Sequence, residues 1–203
     1  MNNIHTCVER FASLLSTEYE ITLGRRNTAI TLLLSFEKED CFHLMGLQHL
    51  RDLPNLKMSR TKAFDDIAAH RIKAAAIEAS DFYHEIQERV QLMPYLEDIL
   101  DSNDTIFKYN ETLNAFSKIQ AEFLLDNQHK ETRVFVFLSM RKTGKYFCRS
   151  FFPMETTDFS LNQQKWTLLK KVKYNTETNE KVELYRNPHY KELTGKIIGS
   201  ASS

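Results

Sequence analysis

From Thr105 onward the chain breaks into six short runs, IFKYN, AEFLL, RVFVFLSM, YFCRSFF, QKWTLLKKVKYN and KVELYRN, each alternating or continuously apolar and each bounded by polar residues. Side chains repeat every second residue along a strand, so such runs predict strands, and the short polar turns between them predict an antiparallel meander. RKTG at 141–144 reads as a hairpin turn carrying two positive charges, and the residues between KYN and KVELY read as a second hairpin. Only 5 Gly and 4 Pro stand among 203 residues, beside 14 Phe and 8 Tyr. That ratio predicts long regular elements around an aromatic core, here expected to be continuous, and leaves little material for glycine-built phosphate loops; neither a Walker nor a dinucleotide fingerprint is present.

The first half reads differently. Ile4, Val8, Phe11, Ala12 and Leu15 recur at intervals of three and four, which predicts an amphipathic helix over about 3–17, expected to lie on the sheet. EYEITL and TAITLLLSF flank Gly24–Asn27 and predict a hairpin. CFHLMGLQHL carries short-helix spacing, and residues 59–102 read as helical, with Ser80 as an N-cap and Pro94 in the first turn of a further helix. The turn-forming residues 101–104 then lead into the strands. The expected fold class is therefore α+β, with amino-terminal and inserted helices packed on an antiparallel sheet formed mostly by the carboxy-terminal half. Residues 1–198 are expected to form one domain with a helical insertion at about 59–102, and 199–203 a disordered tail or cloning remnant.

Three cysteines, Cys7, Cys41 and Cys148, are odd in number and widely spaced, which suits neither a disulfide framework nor a thiolate zinc site and points to a reducing compartment. Cys148 as a nucleophile is weighed against an inert buried thiol, the commoner state. No apolar stretch reaches the ~18 residues that span a bilayer, and the first residues lack a secretory pattern, so a cytoplasmic protein without membrane partner is expected.

Formal net charge is zero, yet it divides along the chain. Residues 1–129 carry 13 basic and 20 acidic side chains, a net of −7, whereas residues 130–173 carry 10 basic and 3 acidic ones, a net of +7. Concentrated positive charge attracts a polyanion such as RNA; equally, the acidic helices can neutralise the basic strands internally. Lys145-Tyr146-Phe147 and Lys165-Trp166 interleave rings with cations, an arrangement that stacks unpaired bases while holding phosphates, although alternation allows at most one set to face outward. Arg141, Lys142, Lys145, Lys165, Lys170 and Lys171 are the candidate nucleic-acid-binding residues.

The least generic segment is FHLMGLQHLRD, Phe42–Asp52. On one helix, His43 and His49 are separated by about 600° of rotation and point to different faces, so a shared metal is not expected. Gly46 between them costs roughly 1 kcal/mol relative to Ala, which implies close approach of another backbone or a ligand. Histidine titrates near neutral pH and can move a proton in RNA cleavage, but a helix histidine is more often structural.

FHLMGLQHLRD, FSKIQAEFLL (116–125), VFVFLSM followed by CRSFFP (148–153), and QQKWTLLKKVKYNTETNEKVELY (163–185) together resemble the phage-borne Barnase, EndoU, colicin and RelE-like nucleases, and within them the fourth phage family. The likeness covers most of the chain outside about 61–100. It implies helices before a four- or five-stranded antiparallel sheet and a metal-independent endoribonuclease of phage or prophage origin, a toxin or effector acting in the bacterial cytoplasm without cofactor. Its partners would be single-stranded or transfer RNA and an antitoxin, immunity protein or host defence protein. The resemblance implies His43 as acid or base, Lys118 as the cation beside the cleaved phosphate, and Ser150 with Arg149 as phosphate-orienting groups; His49 and Lys170 stand second. A catalytically inactive relative that blocks a host enzyme or defence complex is the alternative, and a plain nucleic-acid-binding regulator a third.

Overall fold

A computed structural model describes residues 4–57, 59–102, 105–114 and 117–191. The tail at 199–203, the turn residues 103–104 and Phe116 of the FSKI block lie outside the described residues. Helix α1 (Ile4–Leu14) buries Ile4, Cys7, Val8, Phe11 and Leu14 along one stripe. That stripe touches strand β1 (Thr17–Arg25) but packs mainly on other helices, a departure from the expected seat on the sheet. Strand β2 (Thr28–Ser35) returns through Arg26 and Asn27, both left-handed at φ 44° and 63°. Two consecutive left-handed residues make the tight hairpin turn whose twist matches that of its strands.

Helix α2 (Lys38–Leu44) is followed by a 3₁₀ turn at Leu47–His49, and Gly46 between them is left-handed at φ 79°. The helix expected to carry both histidines therefore stops before the second. Residues 59–102 are helical but broken into short pieces, α3 (Arg60–Ala68), α4 (Ala74–Glu78), α5 (Gln87–Leu92) and α6 (Leu96–Asp101), with 3₁₀ turns between. Ser59 caps α3 by accepting the Lys62 amide, and His70, left-handed at φ 57°, ends the path beyond it. Few glycines thus did not mean long helices here.

Strands β3 (Thr105–Lys108), β4 (Phe123–His129), β5 (Thr132–Met140), β6 (Tyr146–Pro153), β7 (Gln164–Asn175) and β8 (Lys181–Arg186) follow. The meander reading holds for β4-β5-β6 and for β7-β8, which pair antiparallel in sequence. The sheet as a whole is not a simple open one. Its order is β1-β2-β6-β5-β4-β3-β7-β8, and β7 also pairs with β1, which closes seven strands into a barrel with β8 added to β7. The closure contains a weak seam, because β2 and β6 run parallel and meet at a single register pair, Leu34↔Tyr146. Along the rest of β6, helices α2 and α5 pack instead.

Both faces of β5 are buried. Val134, Val136 and Leu138 enter the main core with the helices, while Phe135 and Phe137 join Tyr109 and Leu124 in a second, aromatic cluster on the other face, completed by partly buried Phe152 and Phe159. The expected single continuous core is thus two, which explains why this strand reads as an unbroken apolar run. Among the described residues no helix is long and apolar enough to cross a membrane.

Candidate active site at the seam

Three elements bring side chains together beside the seam. Helix α2 offers His43 from its last turn, α3 offers Arg60 from its first, and β6 offers Arg149. The strand is irregular at Arg149. Phe137 pairs with Ser150 but Leu138 pairs with Cys148, so Arg149 is the extra residue of a β-bulge. Arg149 stands exposed on the face opposite buried Tyr146 and Cys148, and the bulge shifts the pleat after it, so that Phe151 rather than Ser150 is buried. On α2 the opposite end is fixed by Asp40, which accepts the Glu37 amide at 2.8 Å and pairs with Arg141. Burial lifts the Asp40 carboxyl to about 6, a rise that the Glu37 amide and Arg141 only partly offset.

His43 is half-buried, and its imidazole is held below the ordinary histidine value, first by burial and then by the positive charges of Arg60 and Arg149. Glu39 and the side chain of Gln48, whose buried amide oxygen has no well-formed partner, pull weakly the other way. The ring is therefore neutral at pH 7 and able to accept a proton. Arg60 and Arg149 are exposed and make no side-chain hydrogen bond or ion pair with the described residues. An unpaired guanidinium offers planar, forked donors suited to a phosphate.

The remaining candidates are distributed otherwise. Lys118 is exposed in the segment before β4, with no hydrogen bond or ion pair to the described residues. Ser150 is partly buried opposite Phe137. His49 lies on the 3₁₀ turn, 3.6 Å from Glu85, which also takes Arg51 at 2.8 Å. Cys148 is buried and burial raises its thiol strongly, as it does Cys41, while Cys7 is pushed up to about 12; none is a nucleophile at neutral pH.

The positive stretch is mostly consumed inside the fold. Lys171 is 0% exposed, its ammonium donating to the Leu100 and Ser102 carbonyls, and cannot touch a nucleic acid. Lys170 is buried as well. Arg141 is enclosed by Glu37, Glu39 and Asp40 and lies over the Phe147 ring. Lys145 pairs with Glu18 at 2.5 Å, Lys173 with Glu97 and Asp101 at 2.7 Å, and Arg133 with Asp126 and Asp158. Of the six proposed nucleic-acid contacts, Lys142 and Lys165 are exposed and without such partners among the described residues. Internal neutralisation accounts for most of the charge division. Arg60 escaped the sequence reading because a basic residue after a serine cap looks like any helix start; the bulge at Arg149 left no local signal either. No group of three or more His, Cys, Asp or Glu side chains among the described residues is placed to hold a metal ion.

His43 thus stands within electrostatic reach of two exposed guanidinium groups, where helices pack on β6. The family comparison names the class more closely: the chain belongs to the phage-Barnase-EndoU-ColicinE5/D-RelE like nuclease 4 family, whose model matches residues 3–188. Nothing among the curated proteins or the solved structures matches the chain significantly.

Proposed function

We propose that the protein is an endoribonuclease that cleaves RNA through its own 2′-hydroxyl, without a metal, as a phage or prophage toxin or effector in the bacterial cytoplasm. The observation that carries this reading is His43, kept neutral beside Arg60 and Arg149 in a chain of a nuclease family. In the proposed step the imidazole takes the 2′-hydroxyl proton, the 2′-oxygen attacks the adjacent phosphorus, and the bond to the 5′-oxygen breaks to leave a 2′,3′-cyclic phosphate. The two guanidinium groups hold the phosphate oxygens and stabilise the charge that develops on them. Protonated His43, or water, returns a proton to the 5′-oxygen. Lys118 is assigned no role in this step.

A protein retired from catalysis that only binds a host enzyme would be favoured by an imidazole sealed in the interior; the partial exposure of His43 supports the enzymatic reading instead. The test is incubation of purified protein with single-stranded and transfer RNA in excess EDTA, with products analysed for cyclic phosphate ends. Cleavage, reduced about 10²–10⁴-fold in His43→Gln, is expected. Intact RNA at high enzyme concentration, or equal cleavage by wild type and variant, removes the proposal.

A further inference from the structure

Beside the candidate site, on the same strand, the structure holds a second feature that the cleavage step does not use. A cleft of about 740 Å³ opens between α5 and the end of β6. Arg89 of α5 lies in it, half-buried, with its guanidinium 5.3 Å from the centroid of Phe152 and no hydrogen bond or ion pair to the described residues. Phe152 is in turn stacked on buried Phe137 at 5.5 Å and 27°. The cation is thus shelved on a rigid pair of rings. Gly46 presses on it from behind: a Cβ there would stand 3.2 Å from Arg89 Cδ, and His43 stands three residues earlier, in the last turn of α2.

The rim decides the chemistry of the occupant. Glu85, Glu88 and Glu155 line the cleft with Gln87 and Thr156, and Glu85 is already paired with Arg51. Three carboxylates around one guanidinium repel a phosphate, whose negative charge would face acceptors it cannot use. A nucleobase suits both kinds of group. Its ring stacks on the planar guanidinium, and its edge presents N–H donors to carboxylates and carbonyl acceptors to amides.

Resting on the reading of His43 and Arg149 as the cleavage site, we infer that the Arg89–Phe152 cleft is a nucleobase subsite, which takes the base of a nucleotide flanking the phosphate to be cut and so sets sequence or register preference. Arg89 is a binding residue in this scheme and takes no part in proton transfer.

The test uses binding, so that it stands apart from cleavage. A fluorescent single-stranded RNA with every 2′-oxygen methylated cannot be cut through its 2′-hydroxyl. A series of such strands, with one abasic sugar walked along the chain, is titrated by anisotropy against wild type, Arg89→Gln and Arg89→Lys, each checked for an unchanged melting temperature. One abasic position should weaken wild-type binding about fivefold or more. Both variants should weaken binding of the intact strand comparably and erase the difference between intact and abasic strands, because lysine keeps the charge but not the plane. Phe152→Leu should act in the same direction. Wild-type indifference to every abasic position overturns the inference, as does an Arg89→Gln loss that is equal on all strands and restored by lysine, the behaviour of a simple phosphate contact. If base-specific binding is found while His43→Gln cleaves like wild type, the subsite stands and the catalytic reading fails; cleavage that depends on His43 with no Arg89 effect gives the reverse.

Discussion

Two glycines with nearly the same backbone allow the packing of the site to be weighed. Gly46 and Gly144 are left-handed at φ 79° and 83°. A Cβ added at Gly46 would meet Ile86 Cγ2 at 3.0 Å and Arg89 Cδ at 3.2 Å, whereas one added at Gly144 would meet nothing within 4 Å. Alanine in the left-handed region costs about 1–2 kcal/mol at either position, offset by about 0.4–1 kcal/mol from the stiffer unfolded chain. That part cancels between the two variants. What remains is overpacking at residue 46, and Ile86 is 0% exposed and cannot retreat into water, so the remainder is about 1–3 kcal/mol. Gly144→Ala should therefore lose about 0–1.5 kcal/mol, and Gly46→Ala about 1–4.5 kcal/mol. Urea unfolding of both variants at constant m-value measures the difference. Equal losses, within about 0.5 kcal/mol, would refute the claim that the turn after α2 is wedged against Ile86 and Arg89.

Two other perturbations follow from the same geometry. His43 is held down by burial first and by Arg60 and Arg149 second. Arg149→Gln should therefore move the acid limb of kcat/KM to higher pH, with a parallel rise in the His43 titration by NMR, besides lowering the rate; an unmoved limb with a lowered rate would make Arg149 a pure phosphate contact. Arg133 donates to both oxygens of Asp126 at 2.7 and 2.6 Å and to Asp158 at 2.8 Å. Burial pushes Asp158 up, but hydrogen bonds from Arg133 and Ser160 outweigh it and leave the carboxyl below its ordinary range. A depressed carboxyl contributes stability above its unfolded value and loses it as pH falls, so Arg133→Met should cost about 2–4 kcal/mol at pH 7 and less in acid, measured by urea unfolding at both pH values.

The strands after residue 104 were legible because a period of two is a local property, and so was the hairpin at Arg26-Asn27. Closure was not, since it depends on β1 meeting β7 across some 150 residues, Glu18 against Tyr174 and Ile21 against Lys171, which no local pattern encodes. The site was half legible. His43 and Arg149 lay in blocks with family likeness, and Gly46 announced a close approach, but its left-handed turn also divided the helix expected to carry both histidines. Arg60 enters only through the three-dimensional return of α3 to α2. Lys171 was not legible: in KKVK, alternation sends neighbouring lysines to opposite faces, yet Lys170, Lys171 and Val172 are all buried, so both faces of this stretch are covered. The register places Lys171 opposite buried Ile21, on the inner side.

That correction changes what salt should do. Ten basic side chains between residues 130 and 173, if aligned on one surface, would release many counterions, and binding of single-stranded RNA would fall steeply with ionic strength, with a slope of about −0.7 for each phosphate neutralised. In the fold, Lys171 is buried, and Arg133, Arg141, Lys145 and Lys173 are already paired with carboxylates. The seam contributes Arg60 and Arg149. A plot of log affinity against log salt should therefore have a slope of about −1 to −3, and Arg149→Gln should flatten it by about 0.7, whereas Lys145→Gln should leave it nearly unchanged because Glu18 already holds that charge. A slope near −5 or steeper, or an equal response to the two substitutions, would mean that the paired lysines abandon their carboxylates for RNA, and the compact two-arginine site would have to give way to an extended basic surface.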